Sequence, residues 1–180
     1  MDVTASLVID APPDAVARVQ FDPARDPEWI GGVDRVELVT PPPLAAGSQV
    51  RRIGGFLGRP IVWLMRVERL EPHRLVAMHA LESPFPMDVD YMLEPAEGNR
   101  TRASIRIRGS GGGVYRMPGF LQGPMVRRSV QGDLGRLKRI VEGRARGCDP
   151  EYSGCGRGGE RAGHHDARGP GSLAGRGSGR

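Results

Sequence analysis

The sequence predicts an α+β fold in which a curved, seven-stranded antiparallel sheet wraps a long C-terminal helix, with two short helices after the first strand. Three observations carry this. Val3, Ala5, Leu7 and Ile9 recur at every second position, the period of a half-buried strand. From Val33 to Arg108, short runs with strand character alternate with Gly- and Pro-rich breakers. Beyond Pro124, apolar residues recur at the period of a helix.

The first strand stops at Ala11-Pro12-Pro13, and proline can open a helix because the first helical N–H needs no partner. A helix is predicted over about Pro13 to Phe21, with Val16 and Val19 inward. Asp22-Pro23 and Asp26-Pro27 punctuate the chain, Glu28-Trp29-Ile30 fits one further helical turn, and Gly31-Gly32 ends it. Six strands are then expected near Val33–Val39, Ser48–Gly55, Pro60–Leu70, Arg74–Leu81, Met87–Glu94 and Arg100–Arg108. Their connections are short enough for a continuous meander, and Gly98-Asn99 marks the last turn. In the final strand Ala103, Ile105 and Ile107 face one way while Arg102, Ser104, Arg106 and Arg108 face the other, so one face meets a core and one meets water. After the hinge at Gly109 to Gly113, the main helix is expected from about Pro124 to Glu142. Val126, Val130, Leu134, Leu137, Ile140 and Val141 form its apolar arc. Gly132 and Gly135 sit on its polar side without an evident reason.

A single helix cannot fill the concave face of a strongly curved seven-stranded sheet. This order of elements therefore tends to leave an apolar cavity between sheet and helix, and that step leads from topology to function.

Composition narrows the classes. The net charge is +5, but residues 1–142 carry 19 basic and 17 acidic side chains, while 143–180 carry 7 and 4. The basic excess thus lies largely in the tail, and no nucleic-acid partner is expected. Lys138 is the only lysine, and an arginine bias of this kind fits coding composition better than phosphate recognition. The 38 tail residues include 12 glycines and only Leu173 among Leu, Ile, Val and Phe. Such a segment cannot offset its ordering entropy, so a disordered Gly/Arg-rich tail at 143–180 is expected after a domain at 1–142. Cys148 and Cys155 both fall in that tail, so the domain needs no disulfide. With no secretory leader pattern and no apolar run of transmembrane length, a cytoplasmic protein is expected.

The stretch Ile9-Asp10-Ala11-Pro12-Pro13-Asp14-Ala15-Val16, followed by Asp22-Pro23 and Trp29, resembles the opening of START-like (SRPBCC) proteins of the polyketide cyclase/dehydrase and lipid-transport group. Gly47-Ser48, Val67-Glu68-Arg69-Leu70-Glu71-Pro72, Thr101-Arg102, and Asp133-Leu134 with Leu137-Lys138 are similar to that group's later landmarks. The resemblance spans residues 2 to 142 and implies a helix-grip fold that holds a small hydrophobic molecule. It also implies that the loops Gly54-Gly55-Phe56-Leu57-Gly58 and Ser83-Pro84-Phe85-Pro86 guard the mouth. Ala17 stands where the group carries an aromatic, which implies a more open pocket floor.

Phe56, Leu57 and Phe85 are therefore candidate gate residues, since apolar loop tips need something to cover. The same tips could instead fold back on a neighbouring helix. Trp63, Met65 and Tyr91 are placed on the concave face, with Val130 and Leu134 opposite them on the helix. Only two or three such residues are expected to touch a ligand, the others being core. Asp133 lies inside the apolar arc. A carboxylate there is either a polar anchor at the pocket or half of a salt link to an arginine such as Arg136. Arg52 and His79 lie in strands of ambiguous parity.

No nucleophile elbow, Cys/His pair or phosphate-binding glycine loop occurs in the body. Cys148, Cys155, His164 and His165 match no common metal spacing. No metal or cofactor is implied. Two functions stay open: binding of a small hydrophobic ligand (lipid, quinone or polyketide-like), or an aromatase/cyclase-type enzyme using Arg52, Tyr91 and Asp133 in the same cavity. Convergence of those three side chains on one cavity discriminates between them.

Overall fold

The structure is a computed structural model that describes residues 1–56, 59–84, 86–109 and 119–146; the side chains of 56, 59, 119–122, 145 and 146 fall outside the description. The elements run β1 (Asp2–Ile9), α1 (Pro13–Gln20), a 3-10 turn (Pro23–Arg25), α2 (Asp26–Trp29), β2 (Val33–Leu38), β3 (Gln49–Phe56), β4 (Arg59–Glu71), β5 (Leu75–Glu82), β6 (Met87–Ala96), β7 (Arg100–Gly109) and α3 (Gly119–Arg146). The predicted α+β class, seven-stranded antiparallel sheet and helix-grip arrangement are all present, with each predicted strand end within two residues of its place.

The sheet order is β1-β7-β6-β5-β4-β3-β2, and all pairings are antiparallel. β2 to β7 form a meander, and β1 closes onto β7 with Val3 opposite Ile107 and Ile9 opposite Thr101. Register shifts interrupt β2/β3 between Val33 and Arg35, and β4/β5 between Leu64 and Met65 and again between Val67 and Arg69. Irregularities of this kind bend and twist a strand, which is what lets a long β4 curl. At the β6–β7 connection, a three-residue loop of Glu97, Gly98 and Asn99 between the paired Ala96 and Arg100, Gly98 and Asn99 both take positive φ (72° and 56°), which glycine and asparagine accept most readily.

The core follows the strand alternation. Ala5, Ile9, Val50, Met65, Val67, Val76, Met78, Val89, Leu93, Ala103 and Ile105 are buried on the concave face, and Val130, Leu134, Leu137 and Val141 of α3 meet them. Each fully buried Leu, Val or Met side chain contributes about 1.5–3 kcal/mol through apolar area removed from water. α3 packs chiefly on β1, with smaller contacts to β7, α1 and α2. It begins five residues before the predicted start, at Gly119, so that Pro124 lies inside it. As the sixth residue of the helix, Pro124 lies just past the orphan N–H groups of the first turn, so it forfeits one i→i−4 bond close to the helix start. The glycines at 132 and 135 meet no close neighbour, and nothing in the packing explains them.

One buried polar contact ties β7 to the β1–α1 turn. The Thr101 hydroxyl, fully buried, donates to the Ala11 carbonyl at 2.7 Å. Thr101→Val keeps the shape and leaves that carbonyl without its donor. The expected loss is about 1–2 kcal/mol in urea unfolding with an unchanged m-value; an unchanged midpoint would show that the bond is energetically idle.

Candidate functional site

Six elements converge below the middle of α3. Asp26 and Trp29 are one helical turn apart in α2, so they share its inner face, and both are buried. β3 supplies Arg52, β4 supplies Trp63 directly opposite it in register, and β6 supplies Tyr91. α3 supplies Val130 and Asp133, and the turn after α2 supplies Gly31. Except for Asp26, which is tied to the cavity only through Arg52, these residues line, together with Val89, Ile105 and Ile107 of the sheet, an apolar cavity of about 160 Å³.

A buried charge pair forms its polar end. Arg52 Nε donates to Asp26 Oδ2 at 2.7 Å, Nη1 donates to the Tyr91 hydroxyl at 3.1 Å, and Nη2 lies 3.7 Å from Met78 Sδ. The guanidinium carbon sits 5.7 Å from the Tyr91 ring centroid, and Trp29 meets the Tyr91 ring edge-on at 5.8 Å. Burial opposes the charge on Arg52, yet Asp26 and Tyr91 more than compensate and hold its pKa above the ordinary arginine value, so it is a fixed cation. Burial pushes Asp26 up to about 6 against the opposing pull of Arg52. Burial likewise pushes Tyr91 up to about 12, with Arg52 lowering it in part. Tyr91 is therefore a neutral phenol at physiological pH. Because its oxygen accepts from Arg52, its own O–H proton remains to be donated elsewhere.

Asp133 makes the salt link to Arg136 that was one of its two expected roles. It lines the cavity, and it also pairs with Arg136 of its own helix while its Oδ1 accepts the Gly31 N–H at 2.9 Å. Arg136 Nε in turn donates to the Trp29 carbonyl at 2.9 Å. This set of bonds joins α3 to the α2–β2 turn. Burial raises the Asp133 pKa, and the Gly31 N–H and Arg136 lower it by less.

The structure thus brings Arg52, Tyr91, Trp63, Val130 and Asp133 to one cavity. Met65 and Leu134 are fully buried core residues and do not line it. Ala17 packs in the core as well, away from the cavity lining. His79 pairs with Asp88 at 2.7 Å, half-exposed, and does not reach the cavity. The Phe56 side chain, Leu57 and Phe85 lie outside the described residues, as do Cys148, Cys155, His164 and His165. Gly54 and Gly55 belong to β3 rather than to a loop, with Phe56 already paired to Arg59, so the β3–β4 connection is two residues long. Sequence reasoning passed over Asp26 by reading Asp-Pro as punctuation. The available signal was Trp29: a buried tryptophan three residues on places Asp26 on the same inward face. Among the described residues no three His, Cys, Asp or Glu side chains gather as a metal would require.

Residues 1–142 match the family described as polyketide cyclase / dehydrase and lipid transport. The chain belongs to this family. None of the curated proteins matches it in sequence. Among solved structures, this family member is similar to the Zhui aromatase/cyclase from a Streptomyces species (21% identity, TM-score 0.67, covering 83% of this chain and 98% of that one). It is also similar to a protein from Thermus thermophilus (21%, TM-score 0.66, 81% and 99%). A START superfamily protein from Mycobacterium smegmatis is a third (16%, TM-score 0.62, 81% and 97%). At these identities the likeness is one of fold. Among the described residues no helix is long and apolar enough to cross a membrane.

Proposed function

We propose that the protein binds a small hydrophobic molecule, of the lipid, quinone or polyketide-like kind, in the cavity between sheet and α3. The observation that carries this reading is the cavity lining: apolar walls from β4, β6, β7 and α3, with the Arg52–Tyr91 pair, Ser129 and Asp133 among its few polar groups. Binding sites for small molecules are built in this way, with apolar surface for affinity and sparse polar groups for orientation. At about 160 Å³ the space is close to that of an engineered protein cavity of roughly 150 Å³ that takes up benzene. A ring-sized group fits it.

A second reading is favoured by one observation: Arg52, Tyr91 and Asp133 line the same cavity. In a cyclase-type reaction Arg52 would polarise a carbonyl, Tyr91 would donate a proton to the developing oxyanion, and Asp133 would accept the proton removed from carbon. Tyr91 and Arg52 are held in their protonated forms, so any base in the cavity is Asp133.

The test uses the full chain. Native mass spectrometry of purified protein identifies whatever co-purifies, and ethylbenzene serves as the defined probe. At a hundredfold excess over its Kd the probe should add about 2.7 kcal/mol of stability. Val130→Phe fills the cavity from α3 and should remain folded while losing that response. A wild-type protein that carries no ligand and gains no stability from the probe would overturn the binding reading.

A further inference from the structure

Arginines on the surface of this protein are commonly paired, as in Arg18–Asp14, Arg66–Glu68 and Arg106–Asp2. The outer face of α3 departs from that habit. Arg136, Lys138 and Arg144 are engaged by Asp133, Glu142 and Glu28, but Arg127 and Arg128 are exposed and pair with no carboxylate among the described residues. These two line a depression on that face together with Pro124, Gln131 and Gly132. At about 100° of rotation per residue, Gly132 lies about 40° around the helix from Arg128, and Ser129 about 60° beyond Gly132. Ser129 is exposed and also lines the apolar cavity, so the cavity reaches the surface there. At this level of the helix only position 132 falls between depression and cavity, and as glycine it puts no side chain in the way.

We propose that the depression at Arg127 and Arg128 binds a phosphate group, and that the ligand of the cavity is an apolar molecule carrying that phosphate as its head. This deepens the binding reading above and rests on it. Each guanidinium is a planar fork of N–H donors. Gln131 lies four residues from Arg127 and three from Arg128, so it is a helical neighbour of both and adds its amide to the same depression. A single bidentate guanidinium takes up both oxygens of a carboxylate, whereas two forks and an amide call for the additional terminal oxygens of a phosphate monoester. The head has no place inside the cavity. There Arg52 is already held by Asp26 and Tyr91, and Asp133, itself a carboxylate, by Arg136 and the Gly31 N–H. The Ser129 hydroxyl at the mouth can donate or accept but carries no charge. An anion moved inward would meet a carboxylate and no free cation, and would keep its desolvation cost. An apolar part inside and a phosphate outside divide the ligand as α3 divides its own two faces.

The test compares defined probes on the full-length protein: 4-phenylbutyl phosphate, 4-phenylbutanol with the same apolar part and no charge, ethylbenzene for the cavity alone, and inorganic phosphate for the head alone. At low salt the phosphate ester should bind about tenfold more tightly than the alcohol, and at about 0.5 M salt the advantage should shrink to about twofold. Arg127→Gln and Arg128→Gln, both at exposed positions, should each remove most of that advantage and leave 4-phenylbutanol and ethylbenzene unchanged. Gly132→Leu should remove it too by closing the path, since a Cβ there would meet nothing nearer than Arg136 Nη1 at 4.0 Å and the helix should remain folded. Arg139→Gln takes away another exposed, unpaired charge of α3 that lies outside the depression, and should change nothing. Inorganic phosphate should compete with the ester and not with ethylbenzene. An ester that binds no better than the alcohol overturns the proposal and leaves the cavity reading standing. So does an advantage that survives both arginine substitutions, or one that falls equally in Arg139→Gln. Inorganic phosphate that binds as tightly as the ester marks a free-phosphate site separate from the cavity and overturns the head-bearing ligand. Failure of every probe overturns both readings.

Discussion

Replacing Arg52 with methionine should cost about 3–5 kcal/mol at pH 7.5, and much of that loss should disappear by pH 4–5. Methionine fills the arginine stem but leaves the Asp26 carboxylate buried without its cation, the situation in which breaking a buried pair is expensive. The pH dependence follows from linkage. Burial already raises Asp26 to about 6 while Arg52 pulls the other way, so removing Arg52 raises it further. A carboxyl whose folded pKa exceeds its unfolded value of 3.8 contributes stability that is full below the unfolded value and is lost as pH rises through the folded one. In the wild type this window runs from about 3.8 to about 6; in Arg52→Met it extends upward and the loss across it grows. Denaturant unfolding at pH 4.5, 6 and 7.5 measures it. Asp26→Asn combined with Arg52→Met removes the stranded charge and should recover most of the single-variant loss, giving a coupling energy above about 1 kcal/mol. A loss that stays constant with pH would mean that the deficit is packing and that the pair carries no electrostatic stability.

The same pair shows where sequence reading succeeds and where it stops. The strands were legible because alternation along a single segment, as in Ala103, Ile105 and Ile107, is a local property. The apolar arc of α3 was legible for the same reason, and it placed Asp133 on the buried side before any contact was known. Arg52 was ambiguous because β3 carries arginine at both 51 and 52, and only register decides which one faces inward. That register, Arg52 opposite Trp63, is a relation between two strands and is absent from either alone. Met65 and Leu134 read as pocket residues because a core residue and a ligand contact share one hydrophobic pattern. They differ only in whether the space beside them is filled, which depends on every other side chain at once. Asp26 needed the inference that a buried Trp29 fixes the face of a four-residue helix.

Gly54→Ala should be nearly as damaging as loss of Arg52, about 3 kcal/mol, although alanine is the smallest possible addition. A Cβ at this position would sit 1.8 Å from the Gly32 carbonyl oxygen and 2.9 Å from the Val33 Cα. Both are backbone atoms, so no side-chain rotation can relieve the clash, and overpacking must be absorbed by moving the chain. What would move is the turn after α2, where Gly32 holds φ at +86° and its carbonyl accepts the Gly55 N–H at 2.9 Å. That turn also carries Gly31, whose N–H reaches Asp133, and it follows directly on Trp29. Displacement should therefore reduce probe binding along with stability, so the thermal midpoint falls and the stabilisation by ethylbenzene shrinks in the same variant. Gly135→Ala is the control. Its Cβ would meet nothing within 4 Å on the helix, and replacing a helical glycine by alanine should raise stability by about 0.5–1 kcal/mol with probe binding unchanged. Paired thermal and binding measurements on the two variants separate a glycine that the close approach of β3 to the α2–β2 turn requires from one that the fold merely tolerates. Equal effects at both positions would mean that the close approach of Gly32 to Gly54 does not hold the cavity wall in place.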